Sequence, residues 1–358
     1  MVWKRCLLAS LLLGVLVALS SCSFCGEEGV EGLGPQDCDE ILSSSDDSGS
    51  GAGGTGILYV SNGNSSIVRF AGASALDGSV APAAPPLQGT LTTLNNPRYL
   101  FLDASNNRLY VANFGGASVL VFDQISTLTG DIPPTRTVAG GNTTLNGPIQ
   151  AVVDTTRDLL YVADSGTGSL LVFASASTVD GNVAPTRTIQ GPNSGLTGIS
   201  GMVLDSGNDR MYLSTGGPAI RVFNSVSTLV GDPFPNRTIT GGNAELNTPG
   251  ALALDSADNL YVVDNVGAIL RFANASTIDG DTAPAANVSG GNTALSSPRQ
   301  GLFDGTTGSF YVANSASAAM TVYASIATAD LNIFPTRRLS GTATQLATPQ
   351  GIALDTTR

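Results

Sequence analysis

Six polar residues follow short apolar segments at intervals of about fifty residues. We call them the strand-end ring, and they are Asn62, Asn113, Asp164, Thr215, Asp264 and Asn314. Carboxylate and amide oxygens are the ligands that Ca²⁺ prefers. The pattern therefore predicts an oxygen-only calcium site built from Asn62, Asn113, Asp164, Asp264 and Asn314. A second interpretation stays open, because Asn and Asp also form turns by bonding nearby backbone.

A second group of polar residues lies about four or five positions before a recurring aspartate. We call it the mouth set, and it contains Arg98, Tyr99, Gln150, Arg299, Gln300 and Gln350. The surrounding residues are similar from copy to copy, whereas these positions vary. Varied polar positions on a constant scaffold are typical of a ligand-binding surface, which we predict here. Residues that only solvate a channel entrance would give the same pattern.

The residue types that are missing exclude most catalytic mechanisms. The chain has no histidine, and Lys4 is its only lysine. Imidazole-based zinc sites, Ser-His-Asp triads and Schiff-base mechanisms therefore cannot operate in the mature chain. A hydrolase that uses a pair of carboxylates remains open.

The net charge argues against nucleic acid as a partner. The chain has 16 basic and 28 acidic residues. Removing residues 1–21 takes away two basic residues, so the mature chain carries 14 − 28 = −14. Because phosphate backbones require a basic surface, we expect that this chain does not bind nucleic acid. We also expect it to be a monomer.

These residues must be positioned by a repeated structural unit. A tyrosine that follows an aliphatic residue recurs at spacings of 51, 51, 51, 49 and 50 residues, at Tyr59, Tyr110, Tyr161, Tyr212, Tyr261 and Tyr311. The chain also has 43 glycines and only 12% charged residues, which favours short strands joined by many turns. A fixed period of this kind indicates one repeat architecture with six units.

Each unit can be read as four short strands. In one copy the apolar segments are 251–255, 260–263 and 269–272, followed by a weaker segment around Asn287. The weaker strand is expected at an outer edge. Four units carry an arginine there that we predict to be solvated edge protection, namely Arg136, Arg187, Arg237 and Arg337.

The phase of the repeat predicts a closed ring. The repeat region opens at residues 57–60 with a second strand and ends at 351–355 with a first strand, so the two ends complete one unit. We predict an all-β fold, a six-bladed β-propeller of four-stranded blades over 57–358, closed by pairing of the C-terminal and N-terminal strands.

The repeats resemble those of NHL-type six-bladed propellers. Segments 249–264 and 269–272, and likewise 160–165 and 171–173, carry the resemblance, and the Trp-Asp signature of the WD40 type is absent. Lactonases of the SMP-30 type are similar propellers that hold a divalent metal in the channel. The glutamate of that family is not evident here, because Glu245 is the only glutamate in 57–358.

The N-terminal residues predict export and a lipid anchor. Residues 1–21 read as a lipoprotein signal peptide, with Lys4 and Arg5 before an apolar run. Leu19–Cys22 resembles the bacterial lipobox, which implies lipidation of Cys22 and attachment to a membrane. Residues 22–56 form the tether, in which Cys25 and Cys38 either form a disulfide or stay as free thiols. We expect an outer-membrane or cell-surface location.

Together these features favour a non-catalytic binding module, with a protein, peptide or glycan as ligand and with no cofactor other than a Ca²⁺ ion. A metal-dependent hydrolase or lactonase is the first alternative. A structural surface protein without a specific ligand is the second.

Overall fold

The structure is a computed structural model that describes residues 54–358. Residues 1–21, which the sequence predicts to be a signal peptide, and Cys22, Cys25 and Cys38 lie outside the described residues. In chain order the strands are β1 (Ile57–Asn62), β2 (Ser66–Ala71), β3 (Pro97–Asp103), β4 (Arg108–Asn113), β5 (Ser118–Asp123), β6 (Arg136–Ala139), β7 (Pro148–Asp154), β8 (Leu159–Asp164), β9 (Ser169–Ala174), β10 (Arg187–Ile189), β11 (Gly201–Asp205), β12 (Arg210–Ser214), β13 (Ala219–Asn224), β14 (Arg237–Thr240), β15 (Pro249–Leu254), β16 (Leu260–Asp264), β17 (Ala268–Phe272), β18 (Ala286–Ser289), β19 (Pro298–Asp304), β20 (Ser309–Asn314), β21 (Ala319–Tyr323), β22 (Arg337–Leu339) and β23 (Pro349–Asp355).

The helical content of this region is limited to single 3₁₀ turns. They are Ala73–Ala75, Phe114–Gly116, Gly141–Thr143, Gly291–Thr293, Ile326–Thr328 and Thr342–Thr344. Within residues 54–358 no helix is long and apolar enough to cross a membrane.

The strands form six antiparallel sheets, which are the blades of a propeller. Blade 1 contains β23, β1 and β2, and blades 2 to 6 contain β3–β6, β7–β10, β11–β14, β15–β18 and β19–β22. In blade 1 the place of the fourth strand is taken by Leu87, which forms a single bridge with Ile67. The predicted fold class is therefore confirmed, with this one reduced edge.

The ring closes through the two ends of the described chain. β1 and β23 pair antiparallel, with Ile57 opposite Asp355 and Tyr59 opposite Ala353. The first strands β23, β3, β7, β11, β15 and β19 contact one another in sequence around the centre. The start of each first strand lies beside the end of a second strand, as Pro97 pairs with Asn113. The strand-end ring and the mouth set therefore share one face of the propeller, which we call the mouth face.

The repeated tyrosine joins consecutive blades at three of its six positions. The Tyr110 side chain is buried, and its hydroxyl donates to the Ala176 carbonyl of the next blade at 3.1 Å. Tyr212 donates in the same way to the Ala275 carbonyl at 2.9 Å. Tyr311 donates likewise to the Ala73 carbonyl at 3.3 Å. Tyr261 instead bonds Asp255 of its own blade, and the buried hydroxyls of Tyr59 and Tyr161 have no partner among residues 54–358.

The outer arginines also bond the next blade, which differs from the sequence prediction. Arg136 is half-buried, and its Nη1 donates to the Ala176 and Val179 carbonyls at 3.0 and 3.1 Å. Arg237 and Arg337 make equivalent bonds. The prediction of solvated edge protection is therefore wrong for these three arginines. The edge is covered because a glycine of the next blade bridges the fourth strand, as Gly181 bridges Val138 in the neighbouring blade.

Candidate functional site

The strand-end ring fastens the loops of the mouth face. In blade 3, Asp164 Oδ2 accepts the N–H groups of Asn146 and Gly147 at 2.8 and 3.1 Å, and its Oδ1 accepts the Thr167 N–H at 2.9 Å. The first two donors belong to the loop that enters blade 3, and the third belongs to the loop that follows Asp164. One buried carboxylate thus holds both loops of its blade together.

Other members of the ring make the same kind of bond in their own blades. Asp264 accepts from the Asn247, Thr248 and Val266 N–H groups. The side-chain oxygens of the ring asparagines each accept one loop N–H, namely Asn62 from Ala347, Asn113 from Asn95, and Asn314 from Ser296. Thr215 is also buried. Each side chain is used within its own blade, which supports the turn-forming interpretation.

The geometry does not gather carboxylates into one cluster. Over the range 54–358 there is no group of three or more His, Cys, Asp or Glu side chains placed to share a metal ion. A calcium site at Asn62, Asn113, Asp164, Asp264 and Asn314 stays a prediction, and its amide and carboxylate oxygens already accept N–H groups of the loops.

The mouth set lies on irregular backbone at the start of the first strands. Between Pro97 and Leu100 the pairing with β4 shifts register, and Arg98 and Tyr99 lie within the shift. Similar shifts occur at the mouth end of the first-strand pairing in blades 1, 3, 5 and 6. A bulge of this type redirects side chains out of the ladder. It separates the mouth set into two layers.

The inner layer consists of Tyr99, Gln150 and Gln300, all of which are buried. Gln300 Oε1 accepts the Leu100 and Ile352 N–H groups at 3.1 and 2.8 Å, and its Nε2 donates to the Leu100 carbonyl at 3.1 Å. This side chain therefore connects blade 6 to blades 1 and 2. These bonds use both acceptor positions of the Gln300 amide and one of its two donor hydrogens.

The other two inner residues also bond or pack against other blades. Gln150 Oε1 accepts the Met202 N–H of blade 4 at 2.7 Å. Tyr99 belongs to the same buried hydrophobic cluster as Ala251 and Ala253 of blade 5, three blades away along the ring. Burial raises the pKa of the Tyr99 hydroxyl to about 12. The inner layer therefore packs as a plug across the ring, and a ligand role for Tyr99, Gln150 and Gln300 stays a prediction.

The plug needs small residues at equivalent positions of other blades. A Cβ atom on Gly351 would lie 2.4 Å from the Arg98 carbonyl oxygen, and one on Gly201 would lie 2.4 Å from the Gly250 carbonyl oxygen. The backbones of different blades therefore approach closely at Gly351 and Gly201, where a side chain would not fit. Close packing of this kind restricts which residues each copy can carry at this layer.

Behind the plug the channel is mainly apolar, with Gln150 and Gln300 as the polar residues of its lining. A cavity of about 270 Å³ is lined by first-strand residues of all six blades, among them Phe101, Val152, Val203, Leu254, Leu302 and Leu354. No carboxylate lines this cavity, so its walls offer no acid or base for catalysis.

The outer layer of the mouth set brings together Arg98, Arg299 and Gln350. Arg98 Nη1 donates to Gln350 Oε1 at 2.8 Å, and the guanidinium carbon lies 4.8 Å from the centre of the Phe114 ring. The Nε of Arg98 is buried and has no hydrogen-bond partner among residues 54–358. Arg299 Nε donates to Ser315 Oγ at 3.2 Å.

The two arginines form a local positive charge. Burial and the nearby charge of Arg299 lower the pKa of Arg98. The described part of the chain contains four ion pairs, and neither Arg98 nor Arg299 takes part in one. Their guanidinium groups therefore keep N–H donors and positive charge that the protein does not neutralise there.

The sequence prediction missed Phe114, against which Arg98 packs. A signal was present, because the residue after each strand-end position is Gly63, Phe114, Ser165, Gly216, Asn265 or Ser315. Phe114 is the one aromatic side chain at that position. The Arg98 guanidinium lies over its ring, which is a familiar arrangement for arginine.

Comparison with known proteins supports the fold only. No protein-family model matches the sequence, and no curated protein matches it. Among solved structures, a chain in "Crystal structure of Nidogen/Laminin Complex" is similar, with a TM-score of 0.59 and 14% sequence identity. The match covers 84% of this chain and 98% of that chain. At this identity the likeness shows a shared propeller architecture and says nothing of a ligand.

Proposed function

We propose that this protein is an exported, lipid-anchored propeller of NHL type that binds a protein, peptide or glycan ligand on its mouth face without catalysis. The observation that supports this proposal is that Arg98 and Arg299 lie at the mouth face of a plugged channel, with Arg98 bonded to Gln350. Among residues 54–358 neither arginine takes part in an ion pair, so no acidic side chain there neutralises their charge.

The chemistry of the mouth supports binding over catalysis. The mouth set contains no carboxylate, histidine, lysine or cysteine, so it lacks a general base and a strong nucleophile. The nearest ring carboxylates, Asp164 and Asp264, accept several loop N–H groups and hold the loops in place. A recognition surface needs only donors, shape and a rigid support, which the ring provides.

The experiment that tests this function is array binding by the full mature chain. The chain is applied to arrays of peptides and glycans, and hits are measured in solution by calorimetry. We expect saturable binding that is lost in the double variant Arg98→Ala/Arg299→Ala. Arg338→Ala is the matched control, because Arg338 is exposed on β22 and its loss removes the same charge.

Two results would overturn the proposal. Binding that survives in the double variant would move the site away from the mouth face. An absence of any saturable ligand would favour a structural surface protein.

The anchor is proposed from the sequence of residues 1–22 alone. Cells grown with an alkyne analogue of palmitate are expected to label the chain, and Cys22→Ser is expected to abolish the label and release the protein from membranes. Labelling that persists in Cys22→Ser would contradict the proposed lipid site.

A further inference from the structure

We propose that the central channel is a second binding site, which takes a small neutral molecule with an apolar body and one ketone- or ester-type oxygen at its inner end. The site lies behind the plug, in the cavity that the first strands of all six blades line. It is independent of the function proposed for the mouth face.

The size of the cavity suits a small molecule. Its volume is about 270 Å³. An apolar cavity of about 150 Å³ takes up benzene, so the channel has room for roughly ten non-hydrogen atoms. This is too little for a glycan chain or a folded peptide segment, which separates the ligand of the channel from that of the mouth face.

The lining fits an uncharged apolar body. Of the residues in 54–358 that line the cavity, none is charged, and most are aliphatic or aromatic. Transfer of an unpaired ion from water into such a cavity costs far more free energy than transfer of a neutral polar group. The channel therefore excludes carboxylates and ammonium groups, and burial of apolar surface supplies the main driving force for binding.

The closed end of the cavity offers a hydrogen-bond donor. Gln150 lines the cavity and is 7% exposed. Its Oε1 accepts the Met202 N–H at 2.7 Å, which sets the orientation of the amide. In the described part of the chain the Gln150 Nε2 makes no hydrogen bond. Because a buried amide N–H without an acceptor is unfavourable, a ligand oxygen at this end is complementary to the protein.

Gln300, the other polar residue of the lining, has less capacity left for a ligand. Its amide already makes three hydrogen bonds to the backbones of Leu100 and Ile352. It keeps one N–H, whereas Gln150 keeps both hydrogens of its Nε2. The ligand oxygen therefore belongs at Gln150.

The ligand enters from the end of the channel that lies away from the mouth face. The residues of the plug are buried, whereas Leu102, Leu204 and Leu354, close to the opposite ends of their strands, are partly exposed. A polar cavity between blades 4 and 5 shares Leu204 and Leu254 with the channel. This end is thus open to solvent, and its apolar side chains gain free energy when a ligand covers them.

The test uses three probes of similar size against the mature chain with Cys22→Ser, so that no detergent competes for apolar molecules. They are acetophenone, ethylbenzene, which lacks the oxygen, and benzoate, which carries a charge. Binding is followed through the NMR signals of the Met202 and Leu204 methyl groups. We expect saturable binding of acetophenone, about three- to ten-fold tighter than that of ethylbenzene because of one net hydrogen bond. Benzoate should not bind.

Variants locate the site in the channel. Gln150→Met keeps the length of the side chain and removes the donor, so it should reduce the preference for acetophenone to near unity while ethylbenzene still binds. Val203→Phe adds a ring to the lining and should weaken both neutral probes by about ten-fold or more. Val183→Phe is the matched control, because Val183 is exposed in the connection between β9 and β10.

The mouth variant separates the two sites. Arg98→Ala/Arg299→Ala should leave binding of acetophenone and ethylbenzene unchanged, whatever its effect on the ligands of the mouth face. Circular dichroism and melting of each variant show that the fold is intact. If Gln150→Met fails to fold, Val203→Phe and the three probes still decide.

Several outcomes would overturn the inference. One is the absence of any saturable shift of the two methyl signals with either neutral probe, which would indicate a channel that holds water only. The others are equal binding of acetophenone and ethylbenzene, tighter binding of benzoate than of acetophenone, full binding in Val203→Phe, or a preference for acetophenone that survives in Gln150→Met.

Discussion

The strand-end ring and the outer mouth lie on the same face, yet their polar groups are in opposite states. Asp164 accepts N–H groups of two loops through both of its oxygens, and it is fully buried. Arg98 is half-buried and keeps a buried Nε without a partner in the described region. Residue type alone does not separate structural from recognition groups here. What separates them is how much hydrogen-bonding capacity the protein has already used.

The largest effect is expected from opening the ring, on which both regions depend. Deleting residues 350–358 removes most of β23, which pairs with β1. We expect the cooperative thermal transition and most of the soluble protein to be lost, because the open ends expose unpaired strand edges. The control deletes 356–358 only and leaves β23 (Pro349–Asp355) whole. A nearly unchanged melting curve for the longer deletion would show that closure by β23 does not hold the ring.

A smaller, local loss of stability is expected at the strand-end ring. Asp164→Ala leaves loop N–H groups of Asn146, Gly147 and Thr167 without their acceptor. Each buried unsatisfied group costs about 1–3 kcal/mol, so we expect urea unfolding to show a loss of about 3 kcal/mol or more. Arg299→Ala at the mouth should change the free energy of unfolding by about 1 kcal/mol or less. Equal losses in the free energy of unfolding for the two variants would show that the strand-end ring and the outer mouth contribute alike to stability.

Tyr99 tests where the boundary between the regions lies, because it belongs to the mouth set but is buried in the plug. Burial raises its pKa to about 12 from the ordinary value of 10.0. The folded state therefore favours the neutral hydroxyl, and the stability contribution is complete below pH 10 and is lost as the pH rises toward 12. Urea unfolding at several pH values should show this loss, and Tyr99→Phe should show less of it. An identical pH dependence in Tyr99→Phe would show that burial of the Tyr99 hydroxyl does not contribute to this loss.

The smallest effect is expected from calcium. The oxygens of Asp164 and Asp264 already accept loop N–H groups, so we expect millimolar Ca²⁺ to leave the melting temperature unchanged. Melting with and without Ca²⁺, Mg²⁺ and Mn²⁺ checks this. A shift of several degrees that disappears in Asp164→Asn/Asp264→Asn would identify a cation site in the ring and favour the metal-dependent hydrolase or lactonase.

Much of the fold was predictable because it depends on local patterns that repeat. The spacing of Tyr59 to Tyr311 and the split unit at 57–60 and 351–355 were enough to predict six blades and their closure. The bond from Arg136 to Ala176 was not predictable, because it joins residues 40 positions apart and depends on how neighbouring blades pack. From its own sequence, without the neighbouring blade, a fourth strand resembles an exposed sheet edge.

The candidate site was predicted less well than the fold. The positions of Arg98, Arg299 and Gln350 at one opening followed from the repeat. Their separation from Tyr99, Gln150 and Gln300 did not, because it arises from bulges at the start of the first strands. A sequence pattern places a residue at the end of a strand, whereas the bulge decides which way its side chain turns.

The plug has a consequence for how six similar blades find their order. Gln300 of blade 6 bonds blades 1 and 2, and Gly351 leaves room where Arg98 and Tyr99 approach. If two blades exchanged places, large side chains would meet where the ring needs glycine, and glycines would leave a gap elsewhere. The centre therefore penalises mis-assembled rings that the outer contacts alone would tolerate. Copies that look interchangeable along the chain are each fitted to one place in the circle.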